Sequence, residues 1–224
     1  MSAARVLILG ATGAVGSELV RQCVADERIE HIVALTRRPL QESHAKLSVI
    51  VREDFLDYSD LGDELSEIDI CYCALGISQV QMPDPTQYTL ITRDYVVAAA
   101  AALKAANPES RFCFVSGAGT DATEKSSTMW RRVKGEAENR LREIYGAQLC
   151  LFRPAYIHPI RAREKTPWQE KIWAPFYYLK PIMPRFVTDT IEVSRAMIQV
   201  SLADEMPKMV HNPDLKALAS RSHD

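Results

Sequence analysis

The chain has 224 residues, 47% hydrophobic and 25% charged, with a formal net charge of −2. That size suits a single domain spanning 1–224 that can bury a sizeable core, and the charge balance excludes a polyanion-binding surface, so no nucleic acid is expected as a partner. Five cysteines, an odd number set mostly inside apolar runs, read as reduced core thiols of a cytoplasmic protein and exclude a disulfide framework.

The first apolar run, "RVLIL" at 5–9, stops too early for a signal-peptide core or a membrane span, so no membrane partner is expected. It reads as a strand, and "GATGAVGSELV" follows it directly. Gly10, Gly13 and Gly16 then open an amphipathic helix over about 14–25. The first glycine allows a tight turn, the second lets backbone approach a pyrophosphate, and the third lets helix pack on strand. Phosphates would meet the free N–H groups of Thr12, Ala14 and Val15 at the positive end of that helix. The spacing is G-x-x-G-x-x-G, looser than the G-x-G-x-x-G of dehydrogenases.

The second strand, "HIVAL" at 31–35, leads into Arg37 and Arg38, where NAD-selective sites place an acid for the ribose 2′-hydroxyl. Guanidinium forks suit a 2′-phosphate, which favours NADP(H) over NAD(H). After the third strand, "LSVIV" at 47–51, Asp54 and Phe55 are placed to meet the adenine by hydrogen bond and ring packing. A short helix over 60–66 precedes the fourth strand, "DICYCAL" at 69–75. Ala74, Leu75 and Gly76 at its end would let the cofactor lie across the backbone.

A long helix is expected over 86–106, rich in alanine and ended by Asn107-Pro108. The fifth strand, "RFCFVS" at 111–116, a helix over 127–145, the sixth strand, "QLCLFR" at 148–153, and a helix over 189–202 complete the alternation. Continuously apolar strands between helices predict an α/β fold, a doubly wound parallel sheet with ligands at the strands' carboxyl ends. The proline-rich segment 154–187 breaks the pattern and reads either as a cap over those ends or as an irregular crossover. No His, Cys or carboxylate spacing suggests a metal, and the tail "KALASRSHD" carries no assignable function.

The ordered set "GATGAVG", "TRRPL", "CALG", "RDYVVAAAAALKAA", "FVSGAG", "VKGEAE" and "FRPA" resembles the atypical branch of the short-chain dehydrogenase/reductase superfamily, and within it the oxidoreductase-like Tat-interactive protein group. The resemblance covers roughly 5–200 and implies a Rossmann fold with a nicotinamide cofactor. It implies that Ser116 polarises a substrate carbonyl, that Lys134 holds the nicotinamide ribose, and that Pro154, after Arg153, flanks the nicotinamide. The tyrosine that should transfer the proton is replaced by Trp130.

Positions 130 and 134 share one helix face. An indole N–H donates a hydrogen bond but is no useful acid near neutral pH, whereas a phenol with a reference pKa of about 10 can be tuned into one. Trp130 therefore serves either as an aromatic platform or as core packing. Tyr156 and His158 are alternative proton sources, although packing or surface roles fit them as well. Two functions follow. One is an NADP(H)-dependent oxidoreductase acting on a small carbonyl or alcohol, with Ser116, Lys134 and Trp130 at its centre. The other is a non-catalytic NADP(H)-binding redox sensor or scaffold, whose aromatic run at 168–178 would meet a protein partner or a second copy of the chain.

Overall fold

The computed structural model describes residues 3–161, 177 and 185–220. Its main sheet has seven parallel strands in the order β3-β2-β1-β4-β5-β6-β9. These are β1 (Ala4–Leu9), β2 (Ile29–Thr36), β3 (Leu47–Val51), β4 (Ile70–Cys73), β5 (Arg111–Val115), β6 (Leu149–Arg153) and β9 (Met209–His211). The chain winds outward from β1 in one direction, returns, and continues from β4 in the other. The carboxyl ends of β1 and β4 therefore part at the switch point where doubly wound sheets bind ligands.

Alternation along each strand divides the core between the two faces of the sheet. Val6 and Ile8 of β1 pack into one cluster with α1 (Ala14–Ala25), while Leu7 and Leu9 face the other. Of the remaining helices, α2 (Gly62–Ser66) is short and α3 (Pro85–Thr89) leads by a π-helical turn, Leu90–Asp94, into α4 (Tyr95–Ala106). Next come α5 (Met129–Tyr145), α6 (Thr190–Ser201) and α7 (Asn212–Ala219). α4 and α5 cover the second cluster through Val96, Leu103, Ala137 and Leu141, and α6 covers the first through Val193 and Met197. Every cysteine is free and buried.

The structure departs from the sequence reading at three places. The long helix expected over 86–106 is interrupted by the wider turn at Leu90–Asp94. A seventh strand and the helix α7 occupy the end of the chain, where Pro207 and Pro213 masked a short β-α unit. Within 154–187, β7 (Tyr156–His158) pairs in parallel with β8 (Val187–Asp189) as a separate two-stranded sheet. Most of the aromatic run at 168–178 lies outside the described residues. Among those residues no helix is long and apolar enough to cross a membrane.

Candidate dinucleotide and substrate site

The first turn of α1 is built for an anion. Gly10 has φ +83°, and a Cβ there would lie 2.6 Å from the Ala74 carbonyl oxygen. Its own carbonyl accepts the Gly13 N–H at 2.8 Å, which closes the turn. A Cβ on Gly16 would sit only 2.0 Å from the Gly10 carbonyl oxygen, so this residue fixes how closely α1 approaches β1. Gly13 occupies the N-cap without any side-chain cap, and no acid stands in the first turn. The N–H groups of Ala14, Val15 and Gly16 thus have no side-chain cap at the positive end of the helix, an arrangement that suits an anion.

The cleft beside this turn has a volume of about 110 Å³ and is bordered by Gly10, Thr12, Gly13, Arg37, Phe55 and the stretch Ala74–Ile77. Phe55 meets Tyr95 with ring centroids 5.6 Å apart, and Ile91 and Tyr95 complete the wall. Sequence reasoning missed these two, although "RDYVV" contains Tyr95. The expected arginine pair separates: both are exposed, but Arg37 borders the cleft, whereas Arg38 does not and its carbonyl accepts the Thr36 hydroxyl. Asp54 is engaged locally, its Oδ1 accepting the Leu56 N–H at 2.7 Å and its carbonyl accepting from Arg52. Phe55, not Asp54, is the member of that pair that reaches the cleft.

A second cavity of about 550 Å³ lies beyond Ile77, which borders both spaces. Lys134 and Trp130 border it from α5, as the four-residue spacing requires. Lys134 Nζ donates to the Val115 carbonyl at 3.2 Å at the end of β5 and lies 5.2 Å from the Phe114 ring centroid. Burial pulls its pKa from 10.5 down to about 8, partly offset by Cys73 and Glu138. Trp130, half-buried, rests its ring against the Gly117–Gly119 loop, and the Arg131 guanidinium lies 5.4 Å from the ring centroid.

Ser116 goes elsewhere. Its hydroxyl donates to Glu138 Oε1 at 2.6 Å and lies 3.0 Å from Thr120 Oγ1, and Ser116 is not among the residues bordering the Lys134 cavity. Glu138 is fully buried and takes a two-pronged bond from Arg153, at 2.9 Å from Nε and 2.5 Å from Nη2, and another from Arg142 at 2.9 Å. Sequence reasoning missed Glu138. Its position four residues after Lys134, facing the arginine of "FRP", was the available signal. Pro154 is buried and its carbonyl accepts the Ala118 N–H at 2.7 Å, so it anchors the glycine loop under Trp130. Tyr156 and His158 sit on β7, and neither borders the Lys134 cavity.

A glycine turn opening onto a bare helix N-terminus, an adjoining cleft at the sheet's switch point, and a lysine at the end of β5 define a dinucleotide-binding protein of Rossmann architecture. The chain belongs to the NAD(P)H-binding family, whose model matches residues 10–157. Protein HTATIP2 of Rattus norvegicus is 27% identical over 154 residues, 68% of this chain and 62% of that protein. The mitochondrial protein FMP52 of Candida albicans is 28% identical over 151 residues, 66% of this chain and 64% of its own. The match thus spans less than two thirds of either relative's length. Among solved structures, the Bordetella bronchiseptica enzyme WbmF in complex with NAD+ superposes with a TM-score of 0.70 at 14% identity, covering 96% of this chain and 77% of that one. UDP-glucuronic acid 4-epimerase from Bacillus cereus, in complex with NAD, gives 0.68 at 15% identity over 92% and 76% of the two chains. At such identities the likeness is one of fold.

Proposed function

We propose that this protein is an NADP(H)-dependent oxidoreductase acting on a small carbonyl or alcohol. The observation that carries the reading is Ile77, which borders both the cleft beside the glycine turn and the cavity lined by Lys134. The turn from Gly10 to Gly16 would hold the pyrophosphate, Arg37 the 2′-phosphate, and Lys134 the nicotinamide ribose. When bound, the reduced dinucleotide supplies a hydride to an acceptor in the larger cavity. Lys134 keeps positive charge beside that acceptor, and the glycine loop held by Pro154 supports Trp130 at its border.

Ser116 acts in this scheme as a positioning residue. Its hydroxyl hydrogen is engaged by Glu138, which joins the end of β5 to α5 and so sets where Lys134 stands. The experiment is NADPH consumption by the purified protein over a panel of carbonyl acceptors. Turnover above the protein-free rate is expected, and its absence across the panel would overturn the reading. That absence, combined with tight NADPH binding, would instead favour a non-catalytic redox sensor. The Ser116–Glu138 bond and the acid-free indole at Trp130 both support this second reading.

A further inference from the structure

Lys134 borders the cavity and also lies next to the cleft, because a Cβ on Gly76, which lines the cleft, would come 3.9 Å from its Nζ. An ammonium carries three N–H groups. Among the described residues Lys134 commits one of them, to the neutral carbonyl of Val115 at 3.2 Å, and has no carboxylate within ion-pair distance. Glu138, one turn further along α5, is engaged by Ser116, Arg142 and Arg153. From β4 the Cys73 thiol faces the lysine, but burial pushes its pKa up to about 12 and keeps it neutral. From α3 the Tyr88 phenol borders the same cavity, and burial raises its pKa as well. On α5 itself the Arg131 guanidinium lies over the Trp130 ring. A desolvated ammonium with no counter-charge in contact gives up its proton more readily than one in water, and Lys134 is brought down to about 8. At pH 7 such a group is still protonated in about nine molecules of ten, with an acidity close to that of the solution, where general acids work best.

We propose that Lys134 is the catalytic acid of this site, its ammonium handing a proton to the oxygen of the carbonyl that is reduced. The inference rests on the oxidoreductase reading above. The carbonyl carbon receives a hydride, with both its electrons, from a reduced nicotinamide dinucleotide. The C=O π pair moves onto the oxygen, where an O–H bond forms as one Nζ–H bond breaks. Lys134 is left as a neutral amine and regains its proton from water. One residue thus holds two tasks, contact with the cofactor and transfer of the proton. Trp130 stands where a phenol was expected and contributes a wall, since an indole is no useful acid near neutral pH.

Two measurements test this. On the best carbonyl acceptor, at saturating NADPH so that cofactor binding is not limiting, Lys134→Ala should lose at least about 10² in kcat, the cost of a missing acid. Added methylammonium and trimethylammonium should restore part of that loss. Tetramethylammonium, nearly the size of trimethylammonium and equally charged but without an N–H, should restore none. Independently of turnover, the Lys134 Nζ in wild-type protein free of dinucleotide, labelled with nitrogen-15 and assigned by its absence from the spectrum of Lys134→Met, should titrate near 8. Rescue by tetramethylammonium equal to that by the N–H amines, no rescue by any amine, or titration at the ordinary 10.5 would overturn the assignment and leave the oxidoreductase reading standing. No turnover of any acceptor by the wild type would overturn both.

Discussion

The Ser116 hydroxyl donates to Glu138 Oε1 at 2.6 Å, and this one bond decides what the end of β5 does. A serine expected to face a substrate instead belongs to a buried cluster with Glu138, Arg142 and Arg153. Removing the carboxylate would leave the Arg153 guanidinium inside the fold without its charge partner. Glu138→Ala should therefore lower stability by about 3–5 kcal/mol. Ser116→Ala, which deletes one hydrogen bond to a charged acceptor, should cost about 1.5–3 kcal/mol. Denaturant unfolding checks both. Once corrected for the folded fraction, turnover by Ser116→Ala should stay within about threefold of wild type. A loss of about 10² or more, the size expected for a direct polarising donor, would return Ser116 to the substrate.

Gly16 sets the contact between α1 and β1. A Cβ added there would meet the Gly10 carbonyl oxygen at 2.0 Å, a distance the backbone can relieve only by moving the helix away. Gly16→Ala should cost about 1–3 kcal/mol through overpacking and should weaken dinucleotide binding, because the same movement displaces the helix N-terminal N–H groups proposed to meet the phosphates. Thermal melting and fluorescence titration with NADPH read the two effects separately.

Arg37 borders the cleft and Arg38 does not, so the two arginines should differ on substitution. Arg37→Ala should weaken NADPH binding by about 1.5–3 kcal/mol, roughly 10- to 100-fold, through a lost charge-assisted bond. NADH binding should hardly change. Arg38→Ala should have a smaller effect. Paired titrations with the two cofactors check this, and equal losses for both would remove the 2′-phosphate from Arg37.

Lys134 gives the site a pH dependence whose sign is fixed. Its pKa in the folded protein is about 8 against 10.5 ordinarily. Between these values the unfolded chain holds a proton that the folded one has released, so Lys134 makes stability rise with pH across that window. Below about 8 the lysine is charged in both states and the fold bears its desolvation cost. Lys134→Met should thus be favoured at pH 7 and lose that advantage as the pH climbs toward 10.5. NADPH affinity should fall as the pH rises from 7 to 9 in the wild type, with a flatter profile in Lys134→Met. Denaturant unfolding and NADPH titration at pH 7, 8 and 9 measure both trends.

Much of the fold was legible because its rules are local. The runs around Val6, Cys71 and Phe112 are apolar without alternation, which parallel strands covered on both faces require. Gly10 and Gly16 could be assigned because turn and helix start lie within seven residues of each other. The π-helical turn at Leu90–Asp94 stayed hidden because alanine-rich sequence favours an uninterrupted helix and the interruption depends on what packs against it. β9 is only three residues long, too short for periodicity to show, and pairing with β6 is what makes it a strand.

The sequence by itself determined the first six strands and the main helices between them, the glycine turn at Gly10–Gly16, and the face shared by Trp130 and Lys134. All three follow from backbone sterics and helical period acting over a few residues. Only the tertiary structure decided which side chains meet across the fold. Glu138 lies 22 residues from Ser116 and 15 from Arg153, yet among the described residues its buried carboxylate accepts hydrogen bonds from both and from Arg142. That requirement, that a charge removed from water be answered by hydrogen bonds, took Ser116 away from the cavity and left Trp130 and Lys134 to face it.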